Sequence, residues 1–557
     1  MLHRKPLAFL TLLVIVTAVL PSMIVILPGR GLAASGFVSG TPLLPPVPPG
    51  TPLPTDAIIT TASFSLLGDP ADRLPLQEEF YVTLFATSGM RKVTANLYYP
   101  RDGISSGPLN VYVESGLTVN QQVIDALVSE FEDTIRPVIN EYFGMESDID
   151  NNNQITLLIT ALDAGHISGY FDSRNQYSNK WVANSNEREM IYINSLMLDY
   201  GFDGLVQTLA HEFTHLVQWN YNWNYAAANV WFTEGMAMYA NYLVGKVTGK
   251  ANYWDFSTID AYLANYDSIS LIDWQQRYGD YGAAYAYMIY LDEHYSPGHL
   301  RPLFQDPRSD RMEALQEYLA GYGVEPQEVL ADWAAANAFD LSGSRWGYTD
   351  LSLGLSASSL PSLPGSSFTL PEWMARYYRL PNSGEAGFAV RLSGGPGLAA
   401  RLVERHIGGQ VIVHEVPAEA EGELYYECYP NGRGAEFILA AVNTGESQQV
   451  KVTMEALQSA PEAELDISLL PDLLMPGRHS VLVKCDKGLD GPPTVEITGM
   501  AGGGNLDITQ AWGEEGLYIT ASFTSQQVGT GPVLVHVKGS RAGKEVSIKK
   551  TLQLQQI

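Results

Sequence analysis

Residues 209–220 read LAHEFTHLVQWN, and this stretch determines what the surrounding fold must support. Its two histidines, His211 and His215, are four residues apart, which puts both side chains on one face of a helix. Apolar neighbours such as Leu209 and Leu216 indicate that the helix is buried. Two imidazole nitrogens placed in this way can bind one zinc ion at about 2.0–2.1 Å. The stretch therefore predicts a buried helix that carries part of a metal centre.

Glu212 directly follows the first histidine, so it flanks the metal without having to coordinate it. From that position it can accept a proton from a water molecule at the metal, which is the role of the glutamate in the HExxH motif of zinc peptidases. The chain has only 10 histidines in 557 residues. Chance would give the motif in about one in a hundred such chains. The alternative interpretation is a pair of partly exposed histidines on a surface helix.

A catalytic zinc ion needs a third protein ligand. The pattern with a third histidine, HExxHxxGxxH, requires Gly at 218 and His at 221, whereas this chain has Gln218 and Tyr221 and is therefore excluded from that class. The segment WFTEGMAMYANYL (231–243) instead supplies Glu234, 19 residues after His215, on a second helical pattern. We therefore expect a site of two histidines and one glutamate. The alternative for Glu234 is a solvated carboxylate near the start of a helix.

HEFTH followed by WFTEGMA resembles the gluzincin superfamily of zinc metallopeptidases. The wider region, about residues 80–340, resembles the hyicolysin-type secreted neutral metallopeptidases. The segments that carry this resemblance are FGMESDIDNNNQITLLITALD, ISGYFDS, SNEREMIYIN, LAHEFTHLVQW, WFTEGMAMYA and YGAAYAYMIYLDEHY. The resemblance implies a two-lobed metallopeptidase domain that hydrolyses peptide bonds. It also implies His211, His215 and Glu234 as zinc ligands and Glu212 as the general base.

Related gluzincins use a tyrosine on a helix after the third ligand to donate a hydrogen bond to the reaction's oxyanion. Tyr281 best matches that position and Tyr285 lies one turn further on, although both also fit a tyrosine-rich helix core. Some gluzincins place an aspartate four residues after the ligand glutamate, where this chain has Met238. The hydrogen-bond partner of His211 is therefore unassigned, with Asn241 or a backbone carbonyl as candidates.

The loop DIDNNNQ presents oxygen-bearing side chains at positions 1, 3 and 5, namely Asp148, Asp150 and Asn152, as a calcium loop does. Position 6 is Asn153 instead of glycine, and position 12 is Ile159 instead of a bidentate glutamate. The loop is therefore not an EF-hand. Two interpretations stay open: a calcium site completed by a distant carboxylate, or a turn rich in Asp and Asn that precedes a strand.

The composition excludes several classes of protein. Acidic residues outnumber basic ones by 61 to 33, giving a net charge of −28, which argues against nucleic-acid binding. An apolar share of 46% and a charged share of 17% argue against a disordered chain. Cys428 and Cys485 are too few for a disulfide scaffold; they form either one bridge or two unpaired structural thiols.

The N-terminus predicts export from the cytoplasm. His3, Arg4 and Lys5 precede a long apolar run and the small-residue stretch 31–35, so residues 1–34 fit a signal peptide. The alternative is that this segment is retained as a membrane anchor. In both cases the chain is secreted or displayed on the cell surface.

Beyond this segment, the chain predicts an α+β fold class followed by all-β modules. Residues 35–76 are rich in proline and glycine and are expected to form an extended linker. Residues 77–342 are assigned to the metallopeptidase domain, in which a strand near 190–193 is expected to form the sheet edge that binds an extended peptide. Residues 343–459 and 460–557 are assigned to two β-sandwich-like modules.

The sequence therefore favours a secreted or cell-surface zinc metalloendopeptidase that acts on proteins or peptides. A rival from another class is a catalytically silent adhesion protein whose β-rich modules bind a cell-surface or matrix partner. A third reading is a gluzincin that hydrolyses a substrate other than protein. The oligomeric state is not indicated by any of these features.

Overall fold

In the computed structural model, side chains are described for most of the chain between residues 37 and 457. After residue 464, the described structure consists mainly of the backbone of β-strands. The described ranges up to residue 457 are 37–45, 47, 51, 73–104, 107–222, 229–296, 300–355, 360–381, 387–405, 411–419, 423–428 and 436–457. The predicted signal peptide or anchor at residues 1–34 lies outside them. In the described part of the chain, no helix combines the length and apolar character needed to cross a bilayer.

The N-terminal lobe is built on one seven-stranded sheet. In chain order its strands are β1 (Val38–Ser39), β2 (Gln77–Leu84), β3 (Gly89–Tyr99), β4 (Leu109–Glu114), β5 (Ile155–Thr160), β6 (Ile167–Phe171) and β7 (Met190–Asn194). Their order across the sheet is β1-β6-β7-β5-β4-β3-β2. Strands β4, β5 and β7 are parallel neighbours, whereas β6 runs antiparallel to β7. Every residue of β5 and β7 is buried, as expected for central parallel strands covered on both faces.

The prediction that the strand near 190–193 forms the sheet edge is wrong. This strand is β7, which lies between β6 and β5 and uses both of its edges for pairing. Its uniformly apolar sequence, MIYIN, is typical of an interior strand. The outer strand on this side of the main sheet is β6, and the short strand β1 pairs with it in parallel orientation.

Part of the segment expected to be an extended linker is packed instead. Within residues 37–45, strand β1 hydrogen-bonds to β6 through Val38 N to His166 O at 2.9 Å and Gly40 N to Gly169 O at 2.8 Å. Ser39 and Gly40 are buried. Composition misled the prediction here, because an extended chain rich in proline and glycine can also pair along the edge of a sheet.

Helices dominate the chain from residue 197 to residue 339, after two earlier helices that cover the sheet. The described helices are α1 (Gln121–Glu130), α2 (Arg136–Phe143), α3 (Met197–Tyr200), α4 (Phe202–Tyr221), α5 (Val230–Thr248), α6 (Ser257–Ala264), α7 (Tyr278–Tyr295), α8 (Arg301–Phe304), α9 (Arg311–Ala320) and α10 (Pro326–Phe339). Helix α4 packs against β6 and β7, α5 packs on α4, and α7 packs on α5 and α6.

The C-terminal region consists of sheets, which confirms the predicted α+β class followed by all-β structure. Eight strands form two four-stranded sheets around a shared core: β8 (Ser367–Leu370), β9 (Met374–Arg379), β10 (Phe388–Ser393), β11 (Leu398–Arg405), β12 (Val411–Glu415), β13 (Leu424–Cys428), β14 (Glu436–Asn443) and β15 (Gln448–Ala456). Cys428 in β13 is a buried free cysteine, so a bridge to Cys485 is not formed.

Seven further strands follow, in one sheet of four and one of three. They are β16 (Leu465–Pro471), β17 (Arg478–Cys485), β18 (Thr494–Thr498), β19 (Asp507–Gly513), β20 (Gly516–Thr524), β21 (Pro532–Arg541) and β22 (Lys544–Gln553). The assignment of residues 460–557 to a separate β-sandwich-like module stays a prediction.

The first β-rich region is docked on α10, the last helix of the helical region. Arg401 of β11 is 1% exposed and pairs with Asp332 of α10 at 2.6 Å and with Glu328 at 2.8 Å. The hydroxyl of Tyr377 in β9 donates to the carbonyl of Ala334, also in α10. The two regions on either side of the proposed boundary at 342/343 therefore share one hydrophobic core.

Candidate metal centre and active site

Helix α4 carries the HExxH segment in the middle of the molecule because its neighbours allow a very close approach. Strand β6 crosses the helix at Gly169, where an added Cβ atom would lie 2.6 Å from Tyr192 O and 2.8 Å from Thr208 Cγ2. Only glycine lets the strand pass this close to the helix turn that carries Glu212. As a result, the histidines and Glu212 lie directly beneath the outer strand of the sheet.

Helix α5 brings the predicted third ligand to the histidine pair. Glu234 Oε2 lies 3.1 Å from His211 Nε2, and Glu234 Oε1 lies 3.2 Å from His215 Nε2. The two imidazole Nε2 atoms are 3.2 Å apart. All three side chains are buried, and Glu234 is fully so. The structure thus brings together the three residues that the sequence singled out as ligands.

The spacing of these atoms fits a tetrahedrally coordinated ion. Ligand atoms held at about 2.0–2.1 Å from zinc in a tetrahedron lie about 3.3–3.4 Å from one another. The three distances in the cluster, 3.1 to 3.2 Å, are close to that value, with His211 facing Oε2 of Glu234 and His215 facing Oε1. Two nitrogens and one carboxylate oxygen are also the donor set typical of catalytic zinc.

The charges in the cluster favour a cation between the three side chains. Burial raises the pKa of Glu234, but His215 and His211 outweigh burial and lower that pKa to about 2. For His215, burial lowers the pKa, and the stronger opposing effect of Glu234 brings it to about 9. Because the buried carboxylate stays ionised, it stabilises positive charge at the imidazoles, whether a proton or a metal ion supplies that charge.

Glu212 lies beside the cluster without being a part of it. The side chain is fully buried, and burial raises its pKa against the opposing effect of the two histidines. Its Oε2 accepts a hydrogen bond from Thr41 Oγ1 at 2.9 Å, and its Oε1 has no hydrogen-bond partner among the described residues. A buried carboxylate with a free oxygen and a raised pKa is suited to accept a proton.

Of the two candidate tyrosines on α7, Tyr281 faces the cluster. Burial raises its pKa well above the usual value, and the charges of Glu234 and Glu212 raise it further. Its hydroxyl donates to the Ser39 carbonyl at 3.4 Å. Tyr285 instead stacks on Phe256, and its pKa responds to Asp255.

Gln218 is a site residue that the sequence analysis missed. Its Oε1 lies 2.9 Å from His215 Nδ1, and its Nε2 donates to the Thr233 carbonyl at 3.0 Å. This contact assigns the proton of His215 to Nδ1 and leaves Nε2 free to bind a metal. The signal was present in the sequence, because Gln218 follows His215 by three residues on the same helix face.

Asn241, one of the two candidates for the hydrogen-bond partner of His211, does not accept that bond, because its buried side-chain oxygen has no hydrogen-bond partner among the described residues. The other candidate, a backbone carbonyl, stays a prediction.

The predicted calcium loop forms a separate cluster. Carboxylate oxygens of Asp148, Asp150 and Glu189 lie within 4.8 Å of one another. Asn152 turns its amide nitrogen toward Asp150 Oδ2 at 2.8 Å. The sequence analysis named Asp148, Asp150 and Asn152 but missed Glu189, which lies 39 residues after Asp150 in the chain.

Comparisons with known proteins give one similarity. No protein-family model matches the chain. Over 249 residues, 40% of this chain, the sequence is 27% identical to the neutral metalloprotease ShpI of Staphylococcus hyicus. The chain is similar to a metalloprotease. It spans 54% of that relative, about half of its length.

We predict that Gln218→Ala weakens zinc binding by about 10–100-fold, because His215 loses the contact that fixes its ring and tautomer. Zinc affinity is measured by competition with a chromophoric chelator. Gln207→Ala is the matched control, since Gln207 lies on the same helix but donates to the Asn252 carbonyl. An unchanged zinc affinity in Gln218→Ala would show that the contact does not support the metal.

Proposed function

We propose that the protein is an exported zinc metalloendopeptidase whose active site is the cluster of His211, His215 and Glu234 with Glu212 beside it. The observation that carries this proposal is the convergence of two imidazole nitrogens and one buried carboxylate at spacings of 3.1 to 3.2 Å. The similarity to a metalloprotease supports it independently. A zinc ion bound by these three side chains would supply a Lewis acid that polarises the scissile carbonyl and the attacking water.

We place the substrate along the outer edge of β6, in extended form. This strand passes close to Glu212 at Gly169, where an added Cβ atom would lie 3.4 Å from Glu212 Cγ. A peptide paired with the strand would therefore run across the metal ligands, with backbone hydrogen bonds supplying affinity that does not depend on sequence. Strand β6 takes the role that the sequence analysis gave to β7.

Glu212 acts as the general base in this proposal. Its Oε1 carries no hydrogen bond among the described residues and is available to accept the proton of the attacking water. Burial raises the pKa of Glu212, which strengthens it as a base and lets it deliver the proton to the leaving amine.

Tyr281 donates a hydrogen bond to the carbonyl oxygen as negative charge develops there. Its hydroxyl already donates to a backbone carbonyl, that of Ser39, so the geometry needed for such a contact exists. The raised pKa of Tyr281 keeps the hydroxyl protonated at neutral pH, which a donor requires.

The rival function, a silent adhesion protein, is less well supported by the site. A protein without activity would have no need to keep a general base. Glu212 is nevertheless present, and its Oε1 makes no hydrogen bond with the described residues. In this proposal, the β-rich C-terminal region remains a candidate binding surface for a cell-surface or matrix partner. This binding would be additional to the catalytic function.

We predict that Glu212→Gln lowers the cleavage rate of casein by about 10²–10⁴-fold while zinc stays bound. The amide has the same shape but cannot take up the proton. Zinc content is measured by elemental analysis beside the cleavage assay, and Glu317→Gln, an exposed glutamate on α9, is the control. Full activity in Glu212→Gln would refute the assigned base.

We also predict that Tyr281→Phe lowers kcat by about 10²–10³-fold, because a donor to the developing oxyanion is lost. Tyr285→Phe removes a buried hydroxyl that faces away from the cluster and should keep kcat near the wild-type value. Steady-state kinetics on a fluorogenic peptide distinguishes the two. Equal losses in both variants would indicate a packing effect.

A further inference from the structure

A second cluster of carboxylates lies at the amino ends of two neighbouring parallel strands. The loop that contains Asp148 and Asp150 leads into β5, and Glu189 directly precedes β7. The two strands pair in parallel, and Thr156 N donates to Glu189 O at 2.8 Å, so the loop and the glutamate lie side by side.

Glu189 is the residue that distinguishes this cluster from an ordinary acidic surface loop. Its side chain is 1% exposed. Oε1 accepts a hydrogen bond from the backbone N–H of Ile149, inside the loop, at 2.8 Å. Oε2 is buried and has no hydrogen-bond partner among the described residues. A buried carboxylate oxygen without a partner is costly, and a cation held by the loop would satisfy it.

The backbone of the loop is already wound as a cation-binding loop requires. Asn151 and Asn153 both adopt positive φ angles, 57° and 56°. Asn153 stands at the position where an EF-hand loop uses glycine for its sharp turn. Asn153 thus provides the turn, and Glu189 provides the carboxylate that Ile159 at position 12 cannot.

Nearby positive charge acts on the cluster only from a distance, since Arg188 lowers the pKa of Asp150 but forms its ion pair elsewhere. Arg188, next to Glu189 in the chain, directs its guanidinium to Glu78 at 2.7 Å. Burial, together with the charge of Asp150, raises the pKa of Glu189 to about 8 against the opposing effect of the hydrogen bond from Ile149.

We propose that Asp148, Asp150 and Glu189 bind a calcium ion that ties the loop before β5 to the start of β7. A donor set made only of oxygens favours calcium or magnesium over zinc. Calcium is favoured over magnesium because several carboxylates converge in an irregular loop, whereas magnesium demands near-octahedral geometry and keeps its waters. This site is independent of the proposed catalytic cluster and stabilises the sheet that carries β6 and β7.

The test is calcium titration of the zinc-loaded full chain, by calorimetry and by thermal unfolding. We expect one calcium to bind and Tm to rise with calcium, more than with equal magnesium. Glu189→Gln and Asp148→Asn should each weaken calcium binding by at least about tenfold, while Glu79→Gln, an exposed glutamate on β2, should bind calcium like the wild type. No binding to the wild type, equal effects of magnesium, or undiminished binding by Glu189→Gln would overturn the proposal.

A different observation carries a second inference, which rests on the proposed function. The segment 37–45 lies across the groups that the mechanism needs. Thr41 Oγ1 donates to Glu212 Oε2 at 2.9 Å, and the Ser39 carbonyl accepts from Tyr281. The same segment occupies the outer edge of β6 through the pairing of Val38 and Gly40.

The fit of this segment is tight and involves its backbone. A Cβ atom added at Gly40 would lie 2.7 Å from the Phe85 ring and 2.9 Å from Ile167. The hydroxyl of Thr41 also accepts from Phe171 N at 3.0 Å, which anchors the residue at the end of β6. The segment therefore fills the edge on which we place the substrate.

We infer that residues 37–45 act as an intramolecular inhibitor that must leave β6 before a substrate can bind. Because a tethered segment competes at high effective concentration, the full chain should hold most molecules in the closed state. Activity then depends on the fraction of molecules in which the segment has been displaced or removed.

The test compares peptidase activity of full-chain variants at equal zinc content. Gly40→Val should displace the segment through steric conflict, and Thr41→Val should weaken it by removing the contact with Glu212. We expect both variants to cleave a fluorogenic peptide at least about tenfold faster than the wild type. Thr87→Val, an exposed threonine between β2 and β3, should match the wild type. A synthetic peptide of residues 36–46 should inhibit Gly40→Val.

The outcomes separate the two ideas. If the wild type cleaves as fast as Gly40→Val and the peptide does not inhibit, the inhibitory role is wrong, although the peptidase assignment stands. If none of these zinc-loaded variants cleaves any protein or peptide, the proposed function itself fails.

Discussion

The helical region that holds the candidate site depends on one buried carboxylate held between two imidazoles. Glu234 is fully buried, and an ionised carboxylate in that position needs positive charge beside it. The two histidines of α4 provide the place for that charge because they are one helical turn apart and reach the same point. Helices α4 and α5 must therefore pack with these residues facing each other. Helix α5 also packs closely against α7 at Gly235.

This constraint also explains how the rest of the site is arranged. Once α4 is fixed beneath the sheet, Glu212 faces β6, and α7 directs Tyr281 to the same point from the other side. Gln218 continues the network outward, since it joins His215 to the backbone at the start of α5. Each group is placed by a helix or strand and not by a loop, as a site that must hold a metal at fixed geometry requires.

The features that could be predicted from the sequence are those that depend on the spacing of residues close together in the chain. The helix that carries His211 and His215, the role proposed for Glu212 and the arrival of Glu234 on a second helix all follow from periodicity and motif. Contacts between distant segments were not predictable in the same way. The residues around Thr41 in the sequence do not indicate that it contacts Glu212, and those around Glu189 do not indicate that it lies beside Asp148. Both contacts depend on the order of the strands in the sheet. The position of β7 was predicted wrongly for the same reason, because an apolar strand sequence is compatible with several positions in a sheet.

The proposed binding of one zinc ion by His211, His215 and Glu234 is tested most directly by anomalous X-ray scattering at the zinc edge, from crystals of the protein grown with zinc. We expect one strong peak at about 2.0–2.2 Å from the two Nε2 atoms and from a carboxylate oxygen of Glu234. A peak elsewhere, or a zinc ion bound by the histidines with Glu234 turned away, would contradict it.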